Sequence, residues 1–250
     1  MQKKQTQKIS VERKVLALDT LASGIAQDFN EILAAIMGYV EMALLDSPKD
    51  SPIKKNLKHA MEAVERAKDL VNDLQAFSRQ KELERKSFQM GSSVKDILNR
   101  FQKSLPKQIT LQESIMADTA CVFANPKQIQ QIVINLCTNA CNAMLEKGGL
   151  LSVTLEKADI GVKHANSSLN AGPHFCLTVS DTGRGIDEEI GDRIFDPYFT
   201  TTHAGAGCGM GLAIVQSIVD ALRGCIEWES NKKTGTVFRV FLPVDETGRP

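Results

Sequence analysis

Three short stretches in the second half of the chain hold the residue types best suited to chemistry. Asp181-Thr182-Gly183-Arg184-Gly185-Ile186 follows an apolar run, Phe175 to Val179, that reads as a buried strand. Two glycines two apart make a tight turn whose backbone can lie against a flat ligand, and Asp181 can accept a hydrogen bond from an exocyclic amine. Asn135 and Asn139 are four apart on a predicted helix, so their amides share one face. Amide oxygens are hard ligands that suit Mg²⁺ better than a soft metal. Gly205-Ala206-Gly207-Cys208-Gly209-Met210-Gly211-Leu212 opens an apolar helical stretch. Alternating glycines before a helix N-terminus leave free N–H groups suited to phosphate. Taken singly, each stretch is commonplace. Together in this order, with Ile194-Phe195-Asp196-Pro197-Tyr198-Phe199 between the last two, they are specific.

The elements that must position these residues follow from periodicity and punctuation. Of 17 glycines only Gly24 and Gly38 precede Gly91, which separates a helical front from a glycine-punctuated α/β back. Leu18, Leu21, Ile25, Phe29, Ile32, Ile36, Val40 and Ala43 step by three and four, predicting an amphipathic helix over 10–46. Ser47 to Pro52 breaks it. Ile53, Leu57, Ala60, Val64, Ala67, Val71 and Leu74 repeat the step in a second helix to about residue 83. Two such helices make an antiparallel hairpin that cannot bury both apolar stripes alone. A second copy, forming a four-helix bundle, would bury them and make the chain a homodimer; packing of the hairpin on its own C-terminal domain is the alternative.

Lys81 to Gln89 reads as a linker into a second domain over 90–245. There Val94 to Phe101 predicts a helix, and Ile109 to Ile115 and Ala120 to Ala124 predict strands. Pro126 starts the helix that carries Asn135 and Asn139, at the favoured first-turn position. Its Ile129, Ile132, Val133, Leu136 and Met144 should face a sheet. Leu150 to Leu155 and Phe175 to Val179 read as strands around a long polar loop, Lys157 to Pro173. Gly207 to Leu222 reads as a lid and its helix, and Cys225 to Glu229 and Val237 to Leu242 close the sheet.

Bulk properties narrow the class. Hydrophobic content is 42% and charged content 24%, ordinary for a globular protein. The net charge of +0 shows no pull toward nucleic acid or a membrane surface. No run reaches the ~18 apolar residues of a transmembrane helix, and MQKKQTQKIS lacks the apolar core of a signal peptide. The six cysteines form no CxxC pair. Reduced, mostly buried thiols in a cytoplasmic protein are expected.

The four stretches closely resemble the N, G1, F and G2 boxes of the sensor histidine kinases of two-component systems, and the resemblance runs from about residue 10 to 243. It implies an α+β protein. A dimerisation and phosphotransfer hairpin (10–83) would precede an α/β sandwich of the GHKL, or Bergerat, type that binds ATP and Mg²⁺. Carried over residue by residue, the likeness has Asp181 read the adenine amine. Gly183, Gly185 and Ile186 line the base, and Thr236 supports the adenine end. Asn139 is the Mg²⁺ ligand with Asn135 beside it, and Asn142 lies one turn on. Phe199, Thr200 and Thr201, then Gly207, Gly209, Met210, Gly211 and Leu212, border the phosphates and lid. The implied partner is the receiver domain of a response regulator, whose Asp accepts the phosphoryl group.

The chain departs from that family at its defining position. Gly24-Ile25-Ala26-Gln27-Asp28-Phe29-Asn30-Glu31 is similar to the H box, but Gln27 stands where the phosphoacceptor His belongs. A glutamine amide has its lone pair delocalised and is no nucleophile at neutral pH, so Asp28 has no proton to take. Glu31 stands where relatives carry Asn or Thr. Thr202 and Ala206 stand where lid lysines are common. Three explanations stay open: an engineered His→Gln change, a degenerate kinase that signals by conformation, or a kinase domain that phosphorylates the His of another subunit. A non-catalytic dimeric module holding a response regulator is the alternative function. A chaperone-type or mismatch-repair-type ATPase is disfavoured, because Asn135 occupies the position of their catalytic Glu.

Overall fold

The structure, a computed structural model, describes residues 29–49, 51–78, 84–116, 120–161, 171–201 and 209–246. Two compact units divide between residues 81 and 82.

The first unit contains two helices, residues 29–46 (α1) and Pro52–Ser78 (α2). Pro52 takes the first helical position, and Ser51 Oγ accepts from Lys54 N at 3.1 Å, so the start of α2 is capped. Ser47 Oγ donates to Ala43 O at the end of α1 (2.6 Å). The apolar residues of α1 divide differently from the single stripe expected. Leu33 is buried, and Met37, Val40 and Leu44 are half-buried, while Phe29, Ile32, Ile36 and Tyr39 are exposed. Apolar residues on both sides of a 3.6-residue period cover too wide an arc to meet one neighbouring helix. On α2, Leu57, Val64, Ala67 and Val71 are half-buried as the step predicts, but Ile53 and Ala60 are exposed. The expected helical residues 10–28, with Gln27 and Asp28, lie outside the described residues.

The second unit is a sheet with helices on one face. Its elements are β1 (Lys86–Gln89), α3 (Met90–Phe101), β2 (Ile109–Ile115), β3 (Cys121–Ala124), α4 (Pro126–Met144), β4 (Gly149–Ile160), β5 (Gly172–Asp181), α5 (Gly211–Ala221), β6 (Cys225–Asn231) and β7 (Gly235–Pro243). The main sheet runs β2-β4-β5-β7-β6, with only the β2–β4 pair parallel. Alternate residues of three central strands (Leu151, Val153, Leu155; Phe175, Leu177, Val179; Phe238, Val240, Leu242) join the core, which α3, α4 and α5 complete. The five α4 residues expected to face the sheet are all buried.

Two sequence expectations are corrected. Residues 86–89, read as linker, pair antiparallel with β3, because a polar, charged strand suits a two-stranded edge ribbon. The loop expected from Lys157 to Pro173 is shorter: β4 continues to Ile160 and β5 begins at Gly172, paired directly with each other. Polar residues alternate on the uncovered face of that ladder, so hydrophobicity alone understates its length.

Candidate functional site

β5 carries its core-facing alternation, Phe175, Leu177, Val179, to its last residue, Asp181, which is only 4% exposed. A carboxylate at the end of a buried run needs donors, and two backbone amides supply them. Gly183 N donates to Asp181 Oδ1 at 2.7 Å, and Thr236 N donates to the same oxygen at 3.3 Å. Burial raises the Asp181 pKa above its ordinary value, and the two amides offset part of that rise. Both amides use Oδ1. Oδ2 meets no donor among the described residues and stays available to a ligand amine.

The glycines of the following turn fit tight places. At Gly183 a Cβ would collide with Ala143, whose carbonyl accepts from Arg184 N at 3.2 Å. Gly185 has φ +71° and its Cα faces the Asn231 carbonyl. Gly235, φ +91°, lies against the Asp181 backbone carbonyl. A side chain at either positive-φ position would be strained as well as crowded. The turn is thus held between the end of α4 and the β6–β7 turn.

On α4, Asn125 is the N-cap of a capping box with Gln128. Asn135, Asn139 and Asn142 are half-buried in a row along one edge of the buried side that Ile132, Val133 and Leu136 form. Asn135 Nδ2 donates to Gly211 O at 3.1 Å, tying α4 to the first residue of α5. Its Oδ1 is left for a ligand. A Cβ at Gly211 would meet both Asn135 and Asn139 at ordinary contact distance. Two amide oxygens fit a hard cation held mainly by an anionic ligand. No cluster of His, Cys, Asp or Glu among the described residues offers a self-sufficient metal cage.

Met210, the N-cap of α5, makes no side-chain cap hydrogen bond, so among the described residues the first amides of α5 are left open toward this same end. Met210 is buried and Leu212 half-buried. Gly209, φ +72°, packs on the Tyr198–Phe199 backbone. Phe199 is half-buried with the Arg193 guanidinium 4.5 Å from its ring centre. Thr200 and Thr201 are exposed. Gly207 lies outside the described residues. Asp181, Gly183, Gly185, Ile186 and Thr236 therefore meet at one end of the sheet, and Asn135, Asn139 and Gly211 meet beside it. Glu31 belongs to the first unit, exposed on α1.

Sequence reasoning missed several participants. Thr182 Oγ1 accepts from Leu150 N at 3.0 Å and donates to Met144 Sδ. Ser230 Oγ accepts from Ile186 N at 2.7 Å, lies 3.0 Å from Thr236 Oγ1, and donates to Gly235 O at 3.3 Å. Only the strand register, with Ser230 opposite Thr236, brings it there. Cys137 and Cys141 lie on the core side of α4. Burial pushes their thiols up to about 12 and about 11.

Two family models match the chain: the His Kinase A (phospho-acceptor) domain over residues 17–83, and the histidine kinase-, DNA gyrase B- and HSP90-like ATPase over 124–246. The sensor kinase CckA of Brucella abortus is 32% identical over 97% of this chain, which spans 26% of that protein. The sensor histidine kinase ZraS of Escherichia coli is 27% identical over 94% of this chain, which spans 48% of it. The full-length ShkA structure, crystallised with AMPPNP, has the same fold at a TM-score of 0.71 and 19% identity. The match covers 92% of this chain and 47% of that one.

Proposed function

The chain belongs to the sensor histidine kinases, and on that premise we propose that its second domain, 90–245, binds Mg-ATP between α4, the Asp181 turn and the start of α5. The observation that carries this is Asp181: a buried carboxylate with one oxygen fixed by two backbone amides and the other open. Such an acceptor suits the adenine amine. Gly183, Gly185, Ile186 and Thr236 enclose the base. The open amides at Gly211 and the exposed Thr200 and Thr201 suit the phosphates, together with Phe199, Gly207, Gly209, Met210 and Leu212. Asn139, with Asn135 and Asn142 near it, would hold Mg²⁺, which neutralises phosphate charge during transfer.

The reaction this core serves is transfer of the γ-phosphoryl group. An imidazole nitrogen attacks the γ-phosphorus, ADP leaves, and the acidic neighbour takes the imidazole proton. The phosphoryl group then passes to an Asp of a response-regulator receiver domain. In this chain Gln27 offers no nucleophile, so self-phosphorylation is lost while nucleotide binding remains. The exposed Phe29, Ile32, Ile36 and Tyr39 support a homodimer through the hairpin, 10–83, because a row of large apolar side chains on one helix is costly in water. No helix among the described residues is long and apolar enough to cross a membrane; we assign the core to the cytoplasm, where ATP is plentiful.

The test pairs calorimetric Mg-ATP binding with ³²P transfer from γ-labelled ATP, on this chain and on Gln27→His. Binding in both, with acid-labile and base-stable label only on Gln27→His, supports a sound catalytic domain with one lesion. Gln27 also favours a second reading, a nucleotide-binding pseudokinase that engages the receiver domain without modifying it. Binding in both with no label on Gln27→His would select it.

A further inference from the structure

A single hydroxyl outside the motifs joins the parts of the base-binding end, and its role rests on the nucleotide reading above. Ser230 sits on β6, half-buried, directly opposite Thr236 on β7. Its Oγ receives the Ile186 amide at 2.7 Å, at the far end of the turn that Asp181 begins. Its own proton has two acceptors in reach, Gly235 O at 3.3 Å and Thr236 Oγ1 at 3.0 Å. Thr236 in turn donates its amide to Asp181 Oδ1. These bonds close a ring: Asp181, through its turn to Ile186, to Ser230, to Thr236, and back to Asp181. Gly185 docks on Asn231, the residue after Ser230, so the ring lies flat against the β6–β7 turn.

We propose that Ser230 is a positioning residue for base selection, holding the Asp181 turn against Thr236 so that the carboxylate meets a 6-amino purine at a fixed distance. An acceptor selects an amine over an oxo group only if it cannot retreat from the oxo group. Without the Ser230 hydroxyl, the backbone ladder of β6 and β7 remains and Gly183 still donates to Asp181. The Ile186 amide loses its partner, and the turn is free to shift. Ser230 touches no reacting atom, and its effect passes through Asp181 and Thr236.

The two hydroxyls also share their protons in two ways. When Ser230 donates to Gly235 O, Thr236 donates to Ser230. When Ser230 donates to Thr236, the Thr236 proton is released for another acceptor. The pair can therefore offer a nearby group either a lone pair or a proton, while Asp181 offers only lone pairs.

The experiment measures binding of ATP and of inosine triphosphate, which has an oxo group in place of the adenine amine. It uses the full chain and its Ser230→Ala, Ser230→Thr and Asp181→Asn variants. Ser230→Ala is expected to weaken ATP by about ten-fold, the order of one buried hydrogen bond, with inosine triphosphate little changed, so discrimination shrinks. Ser230→Thr restores the hydroxyl and is expected to stay within about two-fold of the parent. Should Ser230→Ala not fold, Ser230→Cys, similar in size and a poor acceptor, carries the same expectation. Equal weakening of both nucleotides, unchanged discrimination, or Ser230→Thr behaving as Ala would overturn the role. If the parent binds ATP and Asp181→Asn loses discrimination while Ser230→Ala keeps it, only the Ser230 inference falls. A parent that does not bind ATP removes both.

Discussion

Replacing Asp181 by Asn separates a functional carboxylate from a structural one. Two backbone amides, at 2.7 and 3.3 Å, require an oxygen at the Oδ1 position. The Asn amide must then place its nitrogen where Oδ2 was, donor against the adenine amine. The lost interaction is a hydrogen bond to a charged group, worth roughly 1.5–3 kcal/mol. At about 1.4 kcal/mol per decade this is roughly a ten- to hundred-fold weaker ATP affinity.

Stability should move the other way. Burial, the largest influence, raises the folded-state pKa of Asp181 above 3.8. The folded state therefore favours the neutral acid. The stabilisation from a raised carboxyl is full below the unfolded value of 3.8 and lost as pH rises through the raised folded value. At neutral pH the parent carries a buried charge that Asn does not. Asn keeps both backbone bonds in weaker, uncharged form, so the variant should unfold within about 1 kcal/mol of the parent, on the stable side at pH 7. Its advantage should shrink toward pH 4. Urea unfolding at pH 7 and pH 4, with ATP calorimetry, reads both effects. A variant clearly destabilised at pH 7 that still binds ATP as tightly as the parent would refute the reasoning and make Asp181 a structural residue.

Other substitutions follow from the same geometry. Gly235→Ala puts a Cβ against the Asp181 carbonyl at φ +91°; it should cost about 1–3 kcal/mol or more in urea unfolding and abolish ATP binding. Asn125→Ala removes the α4 capping box and the bond from Asn125 Nδ2 to Glu84 O at 2.7 Å. A loss of about 1–2 kcal/mol in thermal unfolding is expected, with ATP affinity nearly unchanged in the folded protein. Burial raises the Cys137 and Cys141 thiols to about 12 and about 11. Both should resist a thiol reagent at pH 8 in the native chain and react in urea, while the less buried Cys225 reacts before either of them.

Local pattern made much of the fold legible. Pro126 opened α4 and the three-four step named its buried side, because a helix face is set by residues within a few positions of one another. The apolar runs found the central strands for the same reason. The stretches around Asn135, Asp181 and Gly211 stood out as candidate site residues, since a turn or helix start needs particular residues in sequence.

What crossed between elements stayed hidden. The polar strand β1 resembled a linker until β3 paired with it. The apolar residues of α1 divided into a more buried and an exposed set only once the unit was folded. Ser230 carried no motif of its own. The β6–β7 register set it opposite Thr236 and beneath Ile186, and a register is decided by the whole ladder and the core it covers. The sequence by itself determined which residues carry chemistry and which elements bear them, because those are local choices. The tertiary structure alone decided which oxygen of Asp181 is occupied, and which hydroxyl closes the ring around it, because those depend on strands far apart in the chain meeting at hydrogen-bond distance.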